Sequence, residues 1–163
     1  MSDADEPSEP AAGEREIAPA ASEALHTTLS IDFEDAVPFV QVEHELAGFE
    51  TVTVTRLDEM IAGMLGEEID RTALLVTCHP EIARDALAVD CSLSALLPCT
   101  TAIYEREGDD AVHVHHVSAT KAMRDLGCAP ADAGLEAVIE RTGELMETVW
   151  ENVEENAEEA SEV

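Results

Sequence analysis

Residues 100–118 read TTAIYEREGDDAVHVHHVS. Two segments rich in β-branched and apolar residues, 100–106 and 111–118, flank the polar residues Glu107, Gly108, Asp109 and Asp110. A short polar linker that contains glycine between two such segments is typical of a β-hairpin. The pattern therefore predicts two neighbouring antiparallel strands, around which the rest of the chain can be arranged.

The segments before this hairpin alternate between strand and helix patterns. Strand patterns cover residues 25–31, 49–56 and 72–77, and helix patterns cover 33–47, about 58–66 and about 80–89. After the hairpin, a helix from about Asp132 carries one apolar stripe, formed by Leu135, Val138, Ile139, Thr142, Leu145, Met146, Val149 and Val153. The order β-α-β-α-β-α-β-β-α predicts an α+β fold with helices packed on a mixed β-sheet.

The ends of the chain have a different composition from its middle. Residues 1–24 are rich in Ala, Glu, Asp, Pro and Ser without apolar periodicity, which indicates a disordered acidic leader. Residues 154–163 repeat Glu with Ala, Asn and Ser and are interpreted as an acidic tail. One domain, residues 25–153, lies between them.

Charge excludes several classes of partner. The 163 residues include 37 acidic and only 8 basic ones, and the formal net charge is −29. Nucleic acids and anionic membranes are therefore unfavourable partners. No apolar run approaches the ~20 residues of a membrane span, and no basic segment precedes an apolar one at the N-terminus. We expect a halophilic protein in a cytoplasm with a high-salt interior.

Dilution into low salt is expected to unfold the protein. The screening length falls from about 10 Å at 0.1 M salt to about 3 Å at 1 M, so repulsion among carboxylates spread along the chain grows as salt is removed. Circular dichroism during dilution from molar KCl measures this effect. A mesophilic protein with two acidic tails is the alternative, and it would stay folded.

Five short pieces of the sequence follow one another in a set order, namely Phe33-Glu34-Asp35-Ala36, Gly48-Phe49, Cys78-His79-Pro80, Leu96-Leu97-Pro98-Cys99 and Ala102-Ile103-Tyr104-Glu105. Together they resemble the domain of unknown function 302 family. The resemblance runs over about residues 29–123 and implies a compact α+β domain able to form dimers, with no activity attached. Arg56 stands where an Asp is common in the family, and Cys-His-Pro replaces the usual Cys-Asn-Pro.

The cysteines supply the first candidate site. The chain has too few for a disulfide scaffold, so we expect reduced thiols at Cys78, Cys91, Cys99 and Cys128. Cys78 and His79 end a strand just before Pro80, and a helix N-terminus there would lower the pKa of the thiol. Acidic surroundings or burial would raise it. A site for a metal ion or small ligand would need Cys78 and Cys99 close together.

Topology decides between these possibilities. A regular helical crossover after Cys78 makes the two strands parallel and separates Cys78 from Cys99 by ~15–20 Å, the arrangement that common crossovers favour. If residues 91–97 instead run back in extended form, the strands are antiparallel and the sulfurs are adjacent.

The second candidate site lies on the hairpin. Strand alternation places His113 and His115 on one face and Val112 and Val114 on the other, and a His-x-His pair is a partial ligand set for a transition metal ion. A third ligand is not evident from the sequence. The alternative is a polar outer strand face.

Three functions follow from these features. The first is a small binding domain, expected to be a homodimer, which holds a metal ion or small ligand near Cys78, His79 and Cys99. The second is a structural or adaptor protein with passive cysteines, and the third is a thiol-dependent enzyme. Trp150, at the margin of the last apolar stripe, either anchors a subunit interface or caps the core.

Overall fold

The computed structural model describes residues 24–127, 129 and 132–160. The leader predicted over 1–24, apart from Ala24, lies outside the described residues, as do Cys128 and 161–163. The elements in chain order are β1 (Ala24–Leu29), α1 (Phe33–Leu46), β2 (Glu50–Arg56), α2 (Leu57–Leu65), β3 (Thr72–Cys78), α3 (Pro80–Val89), a 3-10 helix (Cys91–Leu96), β4 (Cys99–Arg106), β5 (Asp109–Val117), α4 (Ala119–Asp125) and α5 (Ala133–Ala160). The predicted α+β class and the approximate element order are confirmed.

Local sequence accounts for the element boundaries. The hairpin β4–β5 turns at Gly108, whose φ of +81° is a left-handed conformation that favours glycine. α1 begins directly after Asp32, whose carboxylate accepts a hydrogen bond from the backbone N–H of Glu34 at 3.0 Å. Pro38 lies inside α1.

The described strands form one sheet in the order β1-β5-β4-β3-β2. Every neighbouring pair is antiparallel, so the expectation of a mixed sheet is wrong. The cause is the connection from β3 to β4. After α3, residues Cys91–Leu96 form a 3-10 helix instead of joining a regular crossover, and the chain returns to the end of the sheet where β3 stopped.

The core lies between the sheet and the helices α1 and α5. We call the sheet face with Val112 and Val114 the inner face, and the opposite side the outer face. The buried inner cluster is Leu29, Phe33, Ala36, Val40, Phe49, Ala73, Leu75, Ile103, Val112, Val114, Met146, Val149, Trp150 and Val153. The α5 stripe therefore covers the core of its own subunit, and Trp150, 5% exposed, is part of that core.

A second cluster joins α3 and the 3-10 helix to the first half of α5, through Ile82, Ala86, Leu93, Leu96, Leu135, Val138 and Ile139. α5 is helical to Ala160, so it includes most of the segment interpreted as an acidic tail. Among the described helices, none has an apolar stretch long enough to cross a bilayer.

Candidate functional site

The antiparallel pairing of β3 and β4 brings the two candidate cysteines to neighbouring strands. Cys99 is directly opposite Thr77, the residue before Cys78. The separation of ~15–20 Å expected for parallel strands is therefore wrong. Because side chains alternate along a strand, Cys99 lies on the inner face with Thr77, and Cys78 lies on the outer face. Both are free thiols.

Both thiols are poor nucleophiles at neutral pH. Burial raises the pKa of Cys99 to about 11, with a smaller contribution from nearby Cys78. Burial also raises the pKa of Cys78, which is the opposite of the effect expected from the N-terminus of α3. The geometry thus favours passive thiols over an activated thiolate.

Alkylation is expected to follow exposure. Iodoacetamide at neutral pH should label exposed Cys91 first and Cys99 last, with at least about a tenfold difference in rate, because the thiolate is the reactive form. Peptide mass spectrometry after timed quenching measures the labelling rates of Cys78, Cys91 and Cys99. Urea-unfolded protein is the control in which these rates converge. Labelling of Cys78 ahead of Cys91 would contradict this prediction and support the thiol-dependent enzyme.

His79 packs within the fold. Its ring meets Phe49 edge to face at 5.4 Å between centroids, and its Nδ1 is buried without a hydrogen-bond partner among the residues that the structure describes. Gly48 has a φ of +90°, and a Cβ there would lie 3.1 Å from His79 Nε2. Gly48-Phe49 and Cys78-His79-Pro80, two of the pieces that carry the sequence resemblance, therefore contact each other where β2 begins and β3 ends.

The outer face holds a group of histidines that includes one which the sequence did not single out. His113 and His115 share this face, as predicted, and His26 on β1 is directly opposite His115. The His26 ring centroid is 5.3 Å from that of His113 and 5.8 Å from that of His115. Tyr104 stacks on the other side of His113, at 5.1 Å.

Both nitrogens of His113 have hydrogen-bond partners. Nε2 donates to the carboxylate of Asp109 at 2.9 Å, because a carboxylate only accepts. Nδ1 is then the acceptor, and it receives the N–H of His26 Nε2 at 3.0 Å. With the rings arranged in this way, no group of three or more His, Cys, Asp or Glu side chains in the described residues is arranged to hold a metal ion.

A second chain of hydrogen bonds runs through the inner face. His116 Nδ1 donates to the backbone oxygen of Thr100 at 3.1 Å and is 3.3 Å from the hydroxyl of Thr101. That hydroxyl donates to His44 Nε2 at 3.1 Å, since His44 Nδ1 donates to the backbone oxygen of Val40 at 2.8 Å. The partners thus determine the tautomer of both imidazoles.

The consequence is an unused lone pair on His116. Its Nε2 carries no hydrogen in this tautomer, and it is buried without a hydrogen-bond partner in the described residues. Burial lowers the pKa of His116 to about 4, helped by the nearby His44 imidazole. Burial also lowers the pKa of His44. Both rings are therefore neutral at pH 7.

His116 lines a cleft of about 420 Å³ between the β1–β5 side of the sheet and α5. We call it the α5 cleft. Its other lining residues are Leu25, Ser118, Lys121, Ile139, Glu140, Thr142, Gly143, Glu144, Met146 and Glu147. The ring of Trp150 lies close by, with its centroid 6.1 Å from that of His116. The cleft thus combines apolar walls, several carboxylates and a buried acceptor nitrogen.

Arg56 has a structural role. Its guanidinium lies 4.9 Å from the centre of the Phe33 ring and pairs with Asp58 and Glu34, at 2.8 and 2.9 Å. These carboxylates hold the pKa of Arg56 above its usual range. Arg56 therefore closes one end of the core.

Two residues of the candidate sites, His116 and His26, were not identified from the sequence. Strand alternation alone places His116 with Val112 and Val114 on the buried face, so a search for polar residues at core positions would have found it. His26 could not be found in this way, because only the pairing of β1 with β5 brings it to His113 and His115.

Comparison with known proteins identifies the family. The family model described as "Domain of unknown function DUF302" matches residues 25–153. The crystal structure of an uncharacterized conserved DUF302 protein from Bacillus stearothermophilus is similar in fold, with a TM-score of 0.69 and 14% sequence identity, over 80% of this chain and 98% of that one. No curated protein matches the chain. The chain therefore belongs to the DUF302 family of domains of unknown function.

Proposed function

We propose that this protein is a small-molecule-binding domain whose ligand lies in the α5 cleft and donates a hydrogen bond to His116 Nε2. The buried, unpartnered nitrogen carries the proposal. A buried acceptor without a partner costs about 1–3 kcal/mol, and a ligand that brings an O–H or N–H group recovers that cost.

The cleft favours neutral or cationic ligands. Glu140, Glu144 and Glu147 line it along α5, and Lys121 is its basic lining residue. Apolar contact comes from Leu25, Ile139 and Met146 among others. In a chain of net charge −29, an anionic ligand would also be repelled over longer range. We infer an amphipathic alcohol or amine.

Binding fits His116 better than catalysis does. A general base works best with a pKa near the operating pH, whereas the pKa of His116 is about 4. Such a ring stays a neutral acceptor at pH 7 and is a weak acceptor of a whole proton. The site near Cys78 and Cys99 remains a separate proposal, which the alkylation experiment tests.

The experiment uses three probes that each contain one benzene ring and differ in the polar group, namely benzyl alcohol, benzylamine and benzoate. Trp150 is the only tryptophan of the chain, so its fluorescence reports on the neighbourhood of His116. Titrations in molar KCl should show binding of the alcohol and the amine, and none of benzoate. His116→Phe, which removes the acceptor, should weaken both by about tenfold.

Carboxylate variants separate charge from hydrogen bonding. Glu144→Gln combined with Glu147→Gln should weaken benzylamine but not benzyl alcohol, and Glu151→Gln, an exposed residue of the same helix outside the cleft lining, is the matched control. Equal affinities of the wild-type protein for all three probes would refute the proposal, and so would wild-type affinities in His116→Phe.

A homodimer, predicted from the sequence, has a specific surface in its favour. Of the eleven large apolar side chains that are exposed in the described part of the chain, eight lie between residues 42 and 69, namely Val42, Leu46, Val52, Val54, Met60, Met64, Leu65 and Ile69. Two of them lie on β2, and the other six lie on α1, on α2 and in the segment after α2, which flank β2 in the chain. β2 is an edge strand and therefore offers unpaired backbone groups. We propose that two copies associate along β2.

Light scattering in molar KCl tests the dimer. Val54→Lys should shift the protein to monomer, because a lysine on an edge strand opposes pairing with another strand. Leu87→Lys, at a similarly exposed position on α3, is the control. A monomeric wild-type protein, or a Val54→Lys dimer as stable as the wild type, would rule out this interface.

A further inference from the structure

We propose that the outer face of the sheet is a self-association surface, on which a second copy of this chain stacks its own outer face. Residues directly opposite each other on antiparallel strands point to the same side of a sheet, so the strand pairing defines this face. One row crosses the five described strands through His26, His115, Ala102, Leu74 and Thr55. The neighbouring rows are Thr28, His113, Tyr104 and Thr72 on one side, and Thr100, Val76 and Thr53 on the other. We call these the three outer rows.

The three outer rows contain no carboxylate. None of their residues is Asp or Glu, although 37 of the 163 residues in the chain are acidic. Carboxylates lie at the ends of the outer face, at Glu50 opposite Cys78 and at Asp109, which accepts a hydrogen bond from His113. A centre depleted of charge within a polar rim is typical of protein–protein interfaces.

The charge of the chain favours a second copy as the partner on this face. Two copies that each carry a net charge of −29 meet most readily where neither presents a carboxylate, because opposed like charges disfavour a contact. A two-fold contact pairs the same surface of each copy, so the outer rows meet this condition on both sides. An acidic partner would instead be attracted by Lys and Arg, which the outer rows also do not contain. Arg106, at the hairpin end of the face, is directly opposite Asp109.

The outer rows have apolar side chains that the core of the subunit does not use. Neither core cluster of the described residues contains a residue of these rows, since α1 and α5 pack on the inner face. Leu74, Val76, Ala102 and Tyr104 are half-buried and lie on the two central strands of the outer rows, β3 and β4. Two sheets that stack face to face lie about 10 Å apart, with their side chains interdigitated. Stacking therefore removes the remaining apolar area of these four side chains from water.

This contact is weaker than the one proposed along β2. A half-buried side chain has less apolar area left to bury than the exposed side chains near β2, such as Met64, which is 77% exposed. One contact uses an edge of the sheet and the other uses a face, so the two are compatible in one assembly. We therefore expect the β2 dimer at low protein concentration, and stacking of outer faces as the concentration rises.

Sedimentation equilibrium of the full chain in molar KCl tests the inference. Val54→Lys isolates the stacking of outer faces, because Val54 is opposite Leu75 and so lies outside the outer rows. Its average mass should rise from one copy to two as the concentration increases. Adding Thr100→Glu, at an exposed position of the outer rows, should raise the dissociation constant at least about tenfold, since burial of an unpaired carboxylate is unfavourable at any salt concentration. Thr148→Glu, the same substitution at an exposed position of α5, is the matched control and should leave the constant unchanged.

Two outcomes would overturn the inference, with far-UV circular dichroism as the check that each variant is folded. One is a Val54→Lys protein that stays monomeric up to about 1 mM, which would leave the outer face to a different partner. The other is a dimer that Thr100→Glu and Thr148→Glu affect equally. Failure of the β2 contact is seen separately, as a dimer that Val54→Lys does not weaken. The α5 cleft lies on the other side of the sheet, so neither result affects the small-molecule proposal.

Discussion

Lowering the pH from 7 to about 4 is expected to destabilise the fold by about 3 kcal/mol through His116 alone. The pKa of this imidazole is 6.5 in its ordinary state and about 4 when buried beside His44. The unfolded chain therefore takes up a proton as the pH falls through 6.5, while the native ring stays neutral. Each tenfold difference in proton affinity corresponds to about 1.36 kcal/mol.

The sign and the window follow from that shift. Well above pH 6.5 the ring is neutral in both states, and His116 contributes no pH dependence. Between 6.5 and about 4 the unfolded state binds more protons, so stability is lost as the pH falls. The lowered pKa of His44 acts in the same direction. Carboxylates with lowered pKa values, such as Asp58 and Glu81, lose their contributions at lower pH.

Urea unfolding in molar KCl at several pH values measures this effect. The variant His116→Phe should be less sensitive to acid than the wild type between pH 6.5 and 4, by about 3 kcal/mol across the window. The comparison uses the slope with pH, so any loss of stability at pH 7 does not affect it. A variant with the wild-type slope would show that His116 is not buried as a neutral ring.

Phe33→Ala is expected to cost about 3–5 kcal/mol, the usual range for removal of a buried phenylalanine side chain. Phe33 is fully buried at the start of α1. The guanidinium groups of Arg56 and Arg71 lie 4.9 and 5.1 Å from the centre of its ring. The substitution leaves a cavity and removes both cation–π contacts. Domains of this size have a total stability of about 5–15 kcal/mol, so the variant approaches the limit of folding.

Urea midpoints in molar KCl compare this variant with Leu87→Ala on α3, which lies outside the proposed dimer surface. Leu87 is 39% exposed, and its replacement should change the free energy of unfolding by about 1 kcal/mol or less. Similar losses in the two variants would mean that Phe33 does not form the centre of the packing between α1 and the sheet.

Much of the fold could be predicted because its evidence is local. The hairpin around Gly108 and the α5 stripe each occupy one continuous segment, and the spacing of their apolar residues directly reflects which side is buried. The family pattern also comes from short pieces in a set order. These signals do not require knowledge of which strands are neighbours.

The direction of β4 could not be predicted in the same way. The sequence allows the segment 91–97 to be either part of a crossover or an extended return, and in the structure Cys91–Leu96 forms a short 3-10 helix that returns the chain. This difference of a few residues reverses the relation between Cys78 and Cys99. Strand direction depends on contacts between distant segments, which the periodicity within one segment does not report.

The sequence by itself determined the fold class, the places of most helices and strands, and the separation of Val112 and Val114 from His113 and His115. Only the tertiary structure decided that the described strands are all antiparallel, that His26 joins the histidines of β5, and that a nitrogen of His116 lies at a cleft with no hydrogen-bond partner among the described residues. The physical reason is the distance along the sequence between the residues that interact. Burial patterns follow the chain residue by residue, whereas a binding site requires side chains remote in sequence to meet, which only the packed sheet achieves.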